Sequence, residues 1–293
     1  MKKNKHEKIK VIWRFRDGKA GHDKQSLALV QSLKNQVKCR IFDINVQSQR
    51  NPILNIIFKN YKFPEGITKP DIAIGAGHKT HLHLLAIKRC FGTKIVVIMK
   101  PSLPLKLFDL CVIPKHDGVK SGSNIFITNF PLVNFNLNTK KKENTALFLI
   151  GGPSKHFYWD SKIVLEQIKN ISKKFKFKKL LITTSRRTPI DFINEFNKLK
   201  IKNIKLYEHT KIINDWLDKN IIKVKNIWVT NDSYSMLIEA IASGAYTDIL
   251  ELKTKQGSSL SREINAIKKR IRNNITIQNE AERVSKFIQK IWF

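Results

Sequence analysis

The sequence DGKAGH, residues 17–22, sets an acid, a lysine and an imidazole around two glycines, directly after the apolar run Lys10–Arg16. Asp17 or His22 can take a proton from an attacking hydroxyl, and Lys19 can hold a negative group. In GAGHKTHLHLL, residues 75–85, Gly75 and Gly77 allow close backbone approach and His78 stands at a helix entrance, where it can contact phosphate or substrate. Lys100 follows the apolar run VIM, and Lys115, His116 and Asp117 follow VIP, so each group again lies just past a strand-like segment. His78 and His81 share a helical face, but His83 points elsewhere and no cysteine or carboxylate is near in sequence. No metal site is expected there.

Phosphate chemistry concentrates in the second half. Gly151 and Gly152 follow an apolar run and precede Ser154, Lys155 and His156; a turn free of side chains beside cations and a hydroxyl suits a sugar diphosphate. Arg186 and Arg187 fall at a strand end, where paired guanidiniums fit bidentate phosphate recognition. The stretch 227–244, IWVTNDSYSMLIEAIASG, reads as strand, tight turn and helix. Its first helical amides, with Ser233, Ser235 and Met236, would face an anion, and Glu239 stands one turn further on, where ribose hydroxyls would meet it. Asp232 reads as the helix cap.

These turns need a scaffold that points many strand ends one way. Apolar strand-like runs alternate with helical patterns throughout, which implies βαβ units and parallel sheets covered on both faces. The lysine-rich stretch NLNTKKKEN, residues 136–144, interrupts the alternation and marks a boundary. The expected layout is one Rossmann-like domain over residues 1–138, a second over 139–275, and a terminal helix over 276–293. Open parallel sheets bind ligands outside the carboxyl ends of their strands, so a central cleft faced by both sheets is the expected site.

Several classes fall away. There is no GxGxxG fingerprint, no GxxxxGK[ST] loop and no Asp-x-Asp pair, which argues against dinucleotide, mononucleotide triphosphate and metal-held diphosphate sites. The same missing fingerprint, with no Tyr-x-x-x-Lys pair, sets a nucleotide-sugar epimerase behind other readings. Cys39, Cys90 and Cys111 are scattered in apolar contexts and suggest neither disulfides nor zinc. The net charge of +32 attracts anionic partners, yet the basic residues are spread along the chain without interleaved aromatics, so nucleic acid is not expected. No apolar run reaches the ~18 residues of a membrane span, which predicts a cytoplasmic protein, peripheral at most. Residues 51–63, NPILNIIFKNYKF, set Ile53, Ile56, Ile57 and Tyr61 at helical spacing beside Lys59 and Lys62. Such a segment either packs on a core or lies on an anionic membrane surface.

DGKAGHDKQSL, GAGHKTHLHLL, VIMKPSLP, FDLCVIPKHDG, GGPSKHFYWD, TTSRRTP and WVTNDSYSMLIEA, in this order, resemble the mitochondrial-fission Elm family, and more closely its bacterial branch of outer-core lipooligosaccharide glycosyltransferases. The resemblance spans residues 11–252 and implies a metal-independent GT-B-type glycosyltransferase with no cofactor beyond its nucleotide-sugar substrate, an N-terminal acceptor-side domain over 1–138, a C-terminal nucleotide-sugar donor domain over 139–275, and a terminal helix over 276–293 that crosses back to the first domain. It implies a donor site at Gly151, Gly152, Arg186, Arg187, Ser233, Ser235 and Glu239, a base at Asp17 or His22, and a lipid-linked, lipopolysaccharide-type glycan as acceptor. Ala245 and Tyr246 replace a basic residue and a proline of many relatives. A non-catalytic fission-factor-type scaffold on a membrane surface is the alternative.

Overall fold

The computed structural model describes all residues except 1–8, 49–50, 64, 135–141, 200–202, 213–215, 257–258 and 273–277. The chain divides into two compact units, Met1–Asn134 with Asn279–Phe293, and Phe135–Gln278.

The first unit begins with β1 (Lys10–Arg16), α1 (Ala20–Lys34) and β2 (Cys39–Asn45). It continues through α2 (Pro52–Phe58), β3 (Ile72–Ala76), α3 (His81–Phe91), β4 (Lys94–Ile98), β5 (Leu110–Pro114) and β6 (Ile125–Thr128). All neighbouring strands pair in parallel, in the order β2-β1-β3-β4-β5-β6. Period-two alternation sends Ile12, Ile72, Ile74, Val96 and Val112 to one face, where Leu29 and Leu33 of α1 cover them. Trp13, Phe15, Ala73, Val97 and Ile113 go to the other, under Leu84 and Ile87 of α3. β3 and β5 are buried along their whole length, as strands covered on both faces must be.

The second unit contains β7 (Lys142–Leu149), α4 (Ser161–Phe175), β8 (Lys179–Thr183), α5 (Ile190–Lys198), β9 (Ile204–Tyr207) and α6 (Trp216–Ile221). β10 (Val224–Thr230), α7 (Tyr234–Ala242), β11 (Tyr246–Leu250) and α8 (Ser259–Arg272) follow. Its parallel sheet runs β11-β10-β7-β8-β9. The last helix, α9 (Glu280–Trp292), packs against α1 of the first unit through Ala281, Val284 and Ile288. Polar contacts fix its register: Ser285 Oγ lies 2.8 Å from Ser32 Oγ and accepts from Gln36 Nε2 at 2.6 Å, and Glu280 accepts the Asn129 amide at 3.1 Å.

Each sheet therefore has one place where strand order reverses, between β1 and β3 in the first and between β7 and β10 in the second. The carboxyl ends of such a pair leave an open crevice, because the connections that follow the two strands depart in opposite directions. Residues 17–22 and 77–78 stand at the first reversal, and residues 150–152 and 231–233 at the second.

Candidate functional site

At the first reversal, Asp17 leaves β1 with a fully buried side chain. One carboxylate oxygen accepts the Lys19 amide at 3.0 Å, and the other lies 2.8 Å from Nδ1 of His22. Gly18 turns the chain at φ +78°, so α1 starts at Ala20 and carries His22 in its first turn. A carboxylate only accepts, so the shared proton belongs to Nδ1 and, in the neutral ring, Nε2 carries the lone pair; the side chain keeps 18% of its surface exposed. The ring rests on Gly77: a Cβ there would stand 2.2 Å from His22 Nδ1. Of the two residues the sequence left as alternatives, Asp17 is fully buried and His22 is the more exposed. Lys19, between the two in sequence, and His78, next to Gly77, are both exposed. Lys100 is exposed as well; its Nζ lies 3.4 Å from the Asp117 carbonyl, and the preceding Met99 takes φ +74°, strained for a side chain of that size. The His116 side chain lies outside the described residues.

His81 and His83 turn into the core, His81 edge-on to Phe108 and His83 stacked on Phe15 at 5.8 Å. Burial lowers both from 6.5 to about 4, with His78 adding to the shift at His81. Among the described residues no group of three His, Cys, Asp or Glu side chains is arranged to hold a metal. Because the folded rings resist protons that the unfolded chain accepts, their stabilising effect is complete above about pH 6.5 and is lost as pH falls toward 4. His83 Nδ1 is buried without a partner. His83→Phe removes that cost while keeping the stack, so the unfolding midpoint is expected to fall less steeply between pH 6.5 and pH 4 than in the wild type, read by thermal melts across that range.

At the second reversal the organising group is Asp232. Its carboxylate, with no exposed side-chain surface, accepts the Gly152 amide at 3.0 Å and pairs with Arg187 Nη2 at 2.8 Å. Arg187 Nη1 reaches the carbonyls of Gly152 and Pro153, both at 3.2 Å. Ser185 Oγ donates to the Gly151 carbonyl at 3.1 Å and Thr188 Oγ1 lies 2.5 Å from the same oxygen. The loops after β7, β8 and β10 are therefore laced into one body. Both glycines are explained by this lacing. A Cβ on Gly151 would lie 2.2 Å from the Asp232 carboxylate, and one on Gly152 would lie 2.0 Å from the Arg187 carbonyl oxygen. Their amides are occupied, Gly151 by Thr230 Oγ1 at 2.8 Å and Gly152 by Asp232, so this turn offers close approach and not free donors.

The remaining expected donor-site residues fall around this body. The N-cap of α7 is Ser233, and no side-chain hydrogen bond caps the helix, so Asp232 does not do what the sequence assigned to it. Ser235 is exposed, and Met236 and Glu239 are half-buried along α7. Arg186 and Arg187 are both exposed, but the Arg187 guanidinium is tied to Asp232 and to the Gly152 and Pro153 carbonyls, so Arg187 holds the loop in place. Ser154 Oγ accepts the amides of His156 and Phe157, which closes its own turn. Sequence reasoning missed Thr184, whose Oγ1 accepts the His209 amide at 2.9 Å at the ends of β8 and β9. It also missed the anchoring roles of Ser185, Thr188 and Thr230. A signal was present for Asp232: glycines at one strand end leave room that a side chain from the neighbouring strand end must fill.

The model of one family, mitochondrial fission ELM1, matches residues 20–285. The chain belongs to that family. An uncharacterized protein of Rickettsia prowazekii (strain Madrid E) is 30% identical over 113 residues, 36% of this chain, and the match spans about a third of that relative, 32% of its length. Among solved structures, this ELM1-family chain is similar to a UDP-N-acetylglucosamine 2-epimerase, with a TM-score of 0.55 and 15% identity over 96% of this chain and 91% of that one. It is also similar to the glycotransferase of kitacinnamycin, with a TM-score of 0.53 and 9% identity over 98% of this chain and 100% of that one. At such identities the likeness establishes the fold, two Rossmann-like parallel α/β units of the GT-B type. It also removes one step of the sequence argument. An epimerase has this fold, so the missing GxGxxG does not separate epimerases from transferases here. Among the described residues no helix of this family member is long and apolar enough to cross a membrane.

Proposed function

We propose that the chain is a glycosyltransferase that moves a sugar from a nucleotide-sugar donor to a hydroxyl of a lipid-linked glycan of the lipopolysaccharide or lipooligosaccharide type. The observation that carries the reading is the Asp17–His22 pair at the first strand-order reversal, an imidazole held through Nδ1 whose Nε2, in the neutral ring, carries the lone pair. In the proposed step His22 Nε2 takes the acceptor hydroxyl proton as the acceptor oxygen bonds to the sugar anomeric carbon and the bond from that carbon to the diphosphate breaks. The second unit meets the negative charge left on the diphosphate. The uncapped amides of α7, the Ser233 and Ser235 hydroxyls and the exposed Arg186 supply donors there, and Glu239 accepts from ribose. Helix amides and arginine meet that charge, so the proposed reaction calls on no metal or cofactor. Lys19, His78 and Lys100 would contact acceptor phosphates, which fits a chain of net charge +32.

Support for a nucleotide donor is tested by melting the protein with uridine, guanosine, cytidine and adenosine diphosphates in turn. A ligand that binds the folded state raises the midpoint, so at least one diphosphate is expected to stabilise the chain, and stabilisation by none would favour the scaffold reading. Glu239→Ala is expected to weaken the stabilising nucleotide about tenfold by calorimetry, a loss of ~1.4 kcal/mol; unchanged affinity would remove Glu239 from the donor site. Incubating the protein with the matching nucleotide-sugar alone separates the epimerase reading, which requires a new sugar stereoisomer to form without acceptor.

A further inference from the structure

Residues 51–63 were left above with two readings, core-packing helix or membrane surface. The structure divides the segment between them. Ile56 packs against the aromatic side of the first core, and Tyr61 is buried at 4% exposure between Trp13 and Phe15. Asn51 accepts the Ile53 amide to start α2, and Cys90 Sγ of α3 lies 3.5 Å from the Asn55 carbonyl, so the helix is held firmly on the fold. Yet α2 buries no residue fully. Ile53, Leu54, Ile57 and Phe58 expose 49%, 51%, 64% and 71% of their surfaces, four large apolar side chains displayed within six residues. Exposed apolar residues scattered singly are ordinary; a fixed cluster of this kind marks a contact surface.

Charge selects the partner. Lys59 and Lys62 follow the cluster, both exposed, and Arg89 of the adjoining α3 is exposed too. No acidic residue occurs between Asp43 and Glu65, in a chain of net charge +32. Phenylalanine, leucine and isoleucine beside lysine on a short amphipathic element match the interface of an anionic bilayer, where apolar groups enter the acyl boundary and ammonium groups meet headgroup phosphates. A partner copy of this chain would bring the same positive charge to the patch and be repelled.

We propose that α2 and the lysines that follow it form a docking surface for anionic lipid bilayers, into whose interface Ile57 and Phe58 insert. This surface stands independently of any catalytic reading, and its test requires no turnover. The protein is sedimented with vesicles of phosphatidylcholine and with vesicles of phosphatidylcholine doped with phosphatidylglycerol. Binding is expected to the doped vesicles and to weaken about tenfold or more in the double variant Ile57→Ser, Phe58→Ser, and likewise in Lys59→Glu, Lys62→Glu. All four side chains are exposed, so melting temperature and diphosphate affinity should match the wild type. A Phe58→Trp variant should shift its fluorescence to the blue on doped vesicles. Wild-type vesicle binding by the Ser variant, or no blue shift, would overturn the proposal by placing lipid attraction elsewhere on the basic surface. So would sedimentation velocity showing a wild-type dimer that the Ser variant dissolves, since the patch would then be a protein interface.

Discussion

Replacing His22 with alanine is expected to slow sugar transfer about 10²- to 10⁴-fold while leaving nucleoside diphosphate affinity unchanged, because the change removes a proton acceptor and not a donor contact. Asp17→Asn should lose a comparable share by a different route. Aspartate forces the proton onto His22 Nδ1 across the 2.8 Å contact, whereas an asparagine amide can donate to that nitrogen and leave Nε2 protonated and unable to act as a base. The two variants are told apart by chemical rescue: added imidazole can fill the space left in His22→Ala, whereas in Asp17→Asn the ring still occupies it. Gly77→Ala tests the positioning by backbone alone, since its Cβ would sit 2.2 Å from the ring at φ +81°. Transfer by His22→Ala within about threefold of the wild type, far short of a lost general base, would mean that the base lies elsewhere.

Asp232→Ala is expected to lower both stability and donor affinity in the second unit. The change strips the Gly152 amide and the Arg187 guanidinium of their common acceptor. Breaking a buried pair costs about 3–5 kcal/mol, and because Arg187 keeps 42% of its side chain in water, the loss should fall near or below the lower figure. A melting midpoint lowered by about 5 °C or more would register it. Donor affinity should fall with it, as the loops after β7 and β8 lose their shared anchor. Asp232→Asn keeps one acceptor without the charge and should lie between. Gly152→Ala meets the Arg187 carbonyl at 2.0 Å, a backbone atom that cannot swing aside, and should lose diphosphate binding outright. Wild-type melting and affinity in Asp232→Ala would refute the assignment.

The fold was readable because parallel sheets write themselves as near-continuous apolar runs. The run Lys10–Arg16, expected as a strand, is β1 with the same bounds, and the alternation of strand and helix patterns led to two Rossmann-like units. The chemistry at the strand ends was readable only as residue types. Asp17 and His22 are five apart, and their identities did not say which would be buried and which would be the more exposed; that follows from Gly18 turning the chain and Gly77 giving the ring its seat. Asp232 was misread for a similar reason. An aspartate just before a helix satisfies the local rule for a cap, whereas its partners, Gly152 and Arg187, are 80 and 45 positions away and reach it through the sheet order alone. Glycines 151 and 152 were read as a turn free of side chains for a sugar diphosphate; the groups packed against them in the fold are the Asp232 carboxylate and the Arg187 backbone.

α9 has a consequence for how the molecule is made. Its Ala281, Val284 and Ile288, with Phe287 and Trp292, complete an apolar layer whose other members all precede residue 135. On the ribosome the first unit must therefore wait with that layer incomplete while residues 135–278 are synthesised, a delay of roughly ten seconds. The unit that starts first finishes last. Over that interval the apolar residues that α9 covers stay exposed, so the order of folding follows from where the chain returns.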